Sequence, residues 1–200
     1  MSPQPLGVNI AIIQNNRILL TLREDFEVWC LPGGGIDPGE SFGQAAVREA
    51  REELGLDVRL THLVGLYARP GWHGAGTYVA VFAAEIAGGT MKLQPEEVLE
   101  AHWFARHELP DAFLQAHRQR ALDALDGLSG IVRAQVIHWP FDSNIPRAEI
   151  YAMRDRSGLP RREFYLRTIA AISAEEDLIE VPPTVHIPPL PPSECDDLLS

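Results

Sequence analysis

Three glutamates within one helical turn are where this chain could do chemistry: Glu49, Glu52 and Glu53, in the run Arg48-Glu49-Ala50-Arg51-Glu52-Glu53-Leu54-Gly55-Leu56. Helical positions i, i+3 and i+4 share a face, so a helix here gathers the three carboxylates within an arc of roughly 100°. Ala46, Val47, Ala50 and Leu54 form a neighbouring stripe that can bury. Carboxylates at this density repel one another, and Arg48 offsets only part of that through an i,i+4 pair with Glu52. Hard oxygen ligands so arranged suit Mg²⁺ or Mn²⁺, whose binding relieves the repulsion. Taken alone, the same run reads equally as a solvated acidic face. The context upstream changes this. Gly33-Gly34-Gly35 supplies backbone that can approach a phosphate closely, and Glu40 stands at the helix entrance.

The elements that must position these groups follow from pattern. Ser41 to Leu54 reads as a helix, with Ser41 and Gln44 in capping-box spacing and Gly55 where a left-handed residue ends a helix. Val8 to Ile13 and Arg17 to Leu22 read as strands joined by a turn at Gln14-Asn15-Asn16, and Trp29-Cys30-Leu31 as a strand entering the glycine loop. Val58 to Tyr67 and Thr77 to Ile86 bracket the loop Arg69-Pro70-Gly71-Trp72-His73-Gly74-Ala75-Gly76. Glu100 to Phe104 gives one more strand, and Ala112 to Leu125 an amphipathic helix. A composition shift follows Gly127-Leu128-Ser129-Gly130. Beyond it lie a strand-like piece (Ile131 to Trp139), a polar turn (Asp142 to Pro146) and two helices around Ile150 and Leu166. The organisation expected is a catalytic domain over 1–128, an extension over 129–178 and a proline-rich extended tail over 179–200 that need not pack.

Composition bounds the class. Two hundred residues, 46% hydrophobic and 22% charged, can bury a real core. No apolar run approaches the roughly 20 residues of a membrane span, and the N-terminus lacks the basic start and apolar core of a signal peptide. Cys30 and Cys195 are too few for a disulfide scaffold and lack metal-type spacing. A net charge of −11 disfavours a bulk electrostatic grip on nucleic acid. The expectation is a soluble, cytoplasmic protein acting on a small molecule, with no membrane partner.

Gly34, five residues, Glu40, seven residues, then Arg48-Glu49-Ala50-Arg51-Glu52-Glu53-Leu54-Gly55-Leu56 resembles the complete Nudix box of the Nudix hydrolases, with every fixed position filled and only Ala50 smaller than is common. The resemblance extends from about Gly7 to about Leu125, through the Leu31-Pro32-Gly33-Gly34-Gly35 entry and the Pro95-Glu96-Glu97-Val98 segment. It implies an α/β fold, a mixed sheet sandwiched between helices, that cleaves a pyrophosphate bond in a nucleoside diphosphate linked to another group. Carried over by position, Glu49, Glu52 and Glu53 would hold one or more divalent metals, Gly34 or its neighbours would give a backbone carbonyl, Glu40 would brace the loop, and Arg48 would orient the carboxylates. The family often takes its general base from a loop outside the box; Glu97 is the first candidate here, then Glu96 and Glu100.

Substrate choice lies outside the box. Arg69, Trp72, His73 and Tyr78 combine aromatic faces for stacking with a cation for phosphate, although Trp72 could equally cap the core. Pro70 resembles a position of the ADP-ribose-cleaving branch. Trp103 resembles a base-pocket position of the branch cleaving oxidised nucleoside triphosphates, or serves as strand core. The motif of the NADH pyrophosphatases is absent. ADP-ribose-like and triphosphate substrates stand even.

Residues 147–167 carry six arginines against three acids, and Ser157-Gly158-Leu159-Pro160 joins two helices, which invites a helix-turn-helix reading. The rival function is therefore a ligand-sensing transcriptional regulator. Against it stand the turn spacing, the acidic chain and the intact box. The plainer reading packs 131–175 on the catalytic domain or across a homodimer, with one of the arginines free to meet substrate.

Overall fold

The computed structural model describes residues 6–70, 76–137, 140–142, 145–171 and 175–185. Its centre is a mixed sheet. Strand β1 (Leu6–Gln14) turns through Asn15 and Asn16, both left-handed with φ of 51° and 57°, into β2 (Arg17–Arg23). Asparagine tolerates this conformation, which gives the tight turn its twist. Strand β3 (Trp29–Cys30) pairs with β2, β4 (Leu56–Arg69) with β5 (Thr77–Gly89), and β6 (Val98–Ala105) with β2, all antiparallel. The chain crosses over to make two parallel pairs, β1 with β5 and β4 with β8 (Ile131–Ile137).

Helix α1 (Phe42–Leu54) covers one face. Ser41 caps it, with the Ser41–Gln44 capping box formed in both directions, and Gly55 ends it at φ 69°. Ala45, Ala46, Ala50 and Leu54 pack against Val8, Ile10 and Leu19 of the sheet. Val47, expected in the buried stripe, is exposed, because the buried arc is centred on the Glu49 and Glu53 side of the helix and Val47 lies just past its edge. Helix α2 (His117–Leu125) covers the other face, where Ala121, Ala124 and Phe113 join Ile18, Leu20 and Val81. The result is the expected α/β/α sandwich.

The second helix is shorter than the pattern over Ala112 to Leu125 suggests. Ala116 adopts φ 68° and breaks it, while residues 112–114 add to the edge of β3: Trp29 N–H donates to the Ala112 carbonyl and Leu114 N–H to that of Trp29, both within 3 Å. A backbone pairing partner, invisible in the local pattern, outcompetes helix here.

Beyond β7 (Leu128–Ser129) the extension folds as α3 (Arg147–Ser157) and α4 (Arg161–Phe164), the latter running on into a wider turn of helix over Tyr165–Ala170. Strand β9 (Glu175–Val181) then pairs antiparallel with β8, and β10 (Thr184–Val185) with β7. The tail expected to be unpacked from 179 onward thus pairs to Val185, first in the central sheet through β9 and then with β7 in a separate two-stranded ribbon. Residues 186–200, and the Trp139 end of the expected strand, lie outside the described residues.

The extension has its own core. Phe26 and Val28, on the loop after β2, pack with Ile150, Phe164, Tyr165 and Ile169. The Phe26 ring lies 5.7 Å from Tyr151 and 5.5 Å from Tyr165. No helix among the described residues is long and apolar enough to cross a membrane.

Candidate active site

Helix α1 turns two carboxylates inward. Glu49 and Glu53 are 9% and 8% exposed, whereas Glu52 stands largely in solvent. Burying two acids side by side on one helix is costly, and a solvated acidic face does not do it. The glycine run makes room: a Cβ on Gly34 would come within 2.5 Å of Glu49 Oε1, and Gly33, at φ 136°, offers its N–H to Glu53 Oε2 at 3.1 Å.

Arg48 ties the assembly from outside. Its guanidinium donates to both Glu40 oxygens at 2.8 and 2.9 Å, to Glu49 and Glu52 at 2.9 Å each, and to the Gly35 carbonyl at 2.9 Å. Those bonds hold the Glu40 carboxyl below its ordinary range, and Glu40 also accepts from the Asp37 N–H, closing the loop. Burial pushes Glu49 up, against the pull of Arg48. Glu53 is pushed up to about 8, chiefly by burial and then by the neighbouring charges of Glu49 and Glu97, with the Gly33 N–H opposing.

Glu97 comes from the segment between β5 and β6, which is laced to the end of α1: Lys92 N–H donates to the Leu54 carbonyl at 2.8 Å and Gln94 N–H to that of Glu53 at 3.1 Å. This brings Glu97 into a polar basin of about 720 Å³ with Gly33 to Gly35, Arg48, Glu49, Glu52, Glu53, Gln94, Arg23 and Arg147. Glu96 lines an adjoining crevice, while Glu100 lies on β6 and pairs with His102 at 3.2 Å, outside the basin.

The groups expected to choose substrate separate in space. Arg69 lines a second cavity of about 320 Å³ that opens beside the basin, with Phe26, Leu114, Gln115, Tyr165 and Ile169. Trp72 and His73 lie outside the described residues. Tyr78 is elsewhere: it is exposed on β5 and lines an apolar groove with Phe42 and Leu66. Trp103 is also elsewhere, packed half-buried in the core beneath α1, because its strand faces that helix. Arg23, Asp25 and Gln115, which line these cavities, carried no sequence signal, and Arg147 stood out only as one of six arginines in the extension; packing of the extension on the loop after β2 brings them together.

The donor set suits a hard divalent cation: clustered carboxylate oxygens in a polar basin, two of them buried without full neutralisation. Among the described residues no three acids, imidazoles or thiols are drawn into a ready cluster. Arg48 pulls Glu49 and Glu52 outward while Gly33 holds Glu53, so the three expected ligands share the basin without converging. The Gly34 carbonyl accepts from the Val8 N–H at 2.9 Å, which leaves it one lone pair.

The NUDIX domain family model matches residues 3–125. A Bacillus subtilis protein named as a candidate 8-oxo-dGTP diphosphatase is 35% identical over 114 residues, covering 57% of this chain and 74% of that one. The NAD-capped RNA hydrolase NudC of Pseudomonas entomophila is 36% identical over 103 residues, 50% of this chain; the match spans only 36% of NudC's length. Among solved structures, a MutT NUDIX hydrolase from Burkholderia pseudomallei superposes with a TM-score of 0.55 at 27% identity, covering 61% of this chain and 98% of that one. The family model ends at residue 125, before the extension begins.

Proposed function

The chain belongs to the Nudix family, and from that premise we propose that it hydrolyses the pyrophosphate bond of a nucleoside diphosphate linked to another group, with a divalent cation (Mg²⁺ or Mn²⁺) at the α1 carboxylates. The observation that carries this reading is the pair Glu49 and Glu53, buried at the floor of a polar basin under a glycine loop. Two acids kept there without full neutralisation are poised for a cation.

Glu49, Glu52 and Glu53 would hold that cation, and Arg48, on the wall of the basin, sets their orientation. The chemistry a bound divalent cation supplies is neutralisation of the bridging phosphate oxygens and a lowered pKa for an attacking water. The glycine loop lets the diphosphate lie against backbone. Glu97, which lines the same basin, takes the proton of the water. Arg23 faces the same basin and balances charge on the departing phosphate. The cavity at Arg69 receives part of the group beyond the diphosphate.

The regulator reading loses its footing. Arg154 and Arg161 donate to the carbonyls of Asp25 and Glu24, and Arg162 to that of Glu27 at 2.8 Å. These arginines fasten the extension to the loop after β2 and are spent on that contact. The matched proteins support no sensor either.

Incubation of the purified protein with Mg²⁺ and a panel tests the proposal, with products read by mass spectrometry. The panel holds ADP-ribose, NADH, dinucleoside polyphosphates, nucleotide sugars and ordinary and oxidised nucleoside triphosphates. A nucleoside monophosphate with its phosphorylated partner is expected from at least one compound. Tight binding without any product contradicts hydrolysis.

A further inference from the structure

We propose that Arg147, the first residue of α3, is a substrate-binding residue lent by the extension, contacting phosphate oxygens of the diphosphate held over α1; this rests on the hydrolase reading above.

The six arginines of this segment sort by what they touch. Arg154, Arg161 and Arg162 bind backbone carbonyls of residues 24–27 and are fasteners. Arg156 pairs with Glu149 at 3.2 Å, and Arg167 with Glu163 one turn earlier. Arg147 alone among them lines the carboxylate basin, and it also lines both adjoining cavities.

Its partner explains its availability. Asp25 Oδ2 accepts from Arg147 at 3.2 Å, from Arg23 and from the Tyr151 hydroxyl at 3.0 Å. One carboxylate thus faces two guanidiniums and cannot neutralise both. Arg23 is tightly held in a near-ideal fork with both Asp25 oxygens, so the loosely paired cation is Arg147. Its side chain is 67% exposed, and its guanidinium rests 5.6 Å from the Tyr151 ring. With one long bond to Asp25 and most of its fork in solvent, this guanidinium at the lip of the basin has donors to spare. It suits a phosphate, whose oxygens match its fork. The family match ends at residue 125, so Arg147 is an addition to the site that the matched domain cannot supply.

The test measures binding of inorganic pyrophosphate in Mg²⁺ by calorimetry, alongside KM for whichever panel compound the wild type hydrolyses. Arg147→Ala should raise the Kd and the KM by about 10–100-fold, the scale of a hydrogen bond to a charged group. Arg147→Lys should recover part of the loss, since charge remains but the fork is gone. Arg167→Ala should match the wild type. Melting temperatures of all three should stay within about 2 °C, as for surface substitutions. If Arg147→Ala fails to fold, Arg147→Gln gives the same reading. Unchanged Kd and KM in the Arg147 variants would overturn the proposal, as would a wild type that does not bind pyrophosphate. A wild type that binds pyrophosphate through Arg147 but hydrolyses nothing supports the contact and overturns the hydrolase reading instead.

Discussion

Glu53 reaches back twenty residues to accept a hydrogen bond from the Gly33 N–H at 3.1 Å, locking the carboxylate helix to the glycine loop. That one contact would set how closely a phosphate lying on the loop could approach a cation held at the helix. It also makes adjacent glycines answer to different constraints.

Gly33 and Gly34 should therefore fail differently when changed to alanine. A Cβ on Gly33 would lie 2.2 Å from the Val8 carbonyl oxygen, at a φ of 136°, so Gly33→Ala should lower the melting temperature markedly. On Gly34 the clash is with the Glu49 carboxylate, a movable side chain. Gly34→Ala should fold close to normally and lose metal affinity and turnover. Thermal melts beside metal titrations check the pair.

Stability without metal should fall as pH rises. The folded chain holds the Glu53 proton up to about 8, against an ordinary 4.5. Between those values the folded state binds more protons than the unfolded one, so this contribution is full below about 4.5 and is lost on the way to 8. In chelator, the melting temperature should drop more from pH 5.5 to 8.5 in the wild type than in Glu53→Gln. Mg²⁺ should then stabilise the wild type more at pH 8.5 than at 5.5. Parallel pH profiles for the two proteins would argue against a buried, proton-holding Glu53.

Phe26→Ala should loosen the extension. Phe26 is the apolar anchor that the loop after β2 offers to Ile150, Phe164 and Tyr165, and removing a buried Phe costs about 3–5 kcal/mol. Amide exchange should quicken across 147–170 while β1, β4 and β5 stay protected. Uniform loss of protection would show instead that the extension and sandwich unfold as one unit.

What the sequence reveals and what it hides divide along one physical line. The capping box at Ser41, the left-handed end at Gly55 and the Asn15-Asn16 turn depend on neighbours in the chain, and they appear where their patterns place them. The inward turn of Glu49 and Glu53 follows from helical spacing once the glycine loop is seen to pack above it. The start of α2 was hidden, because residues 112–114 pair with Trp29, over eighty residues away. Strand β9 was hidden too: the tail expected from 179 need not pack, and pairing with β8 makes Glu175–Val181 a strand. Arg23, Gln115 and Arg147 become neighbours only through the core around Phe26, which no local pattern announces. Tyr78 lies close to Arg69 in sequence, yet its position on β5 turns it to another surface.

The most direct test of a cation-assisted reaction at α1 is a Mg²⁺ titration of metal-stripped wild type, Glu52→Gln and Glu53→Gln, following product from the best panel substrate. The wild type should be silent in chelator and recover with Mg²⁺. Both variants should fold, and both should remain depressed at saturating metal by more than the roughly 10–100-fold typical of outer-shell partners of metal ligands. Wild-type rates in both variants under saturating Mg²⁺, or full turnover in chelator, would contradict the account.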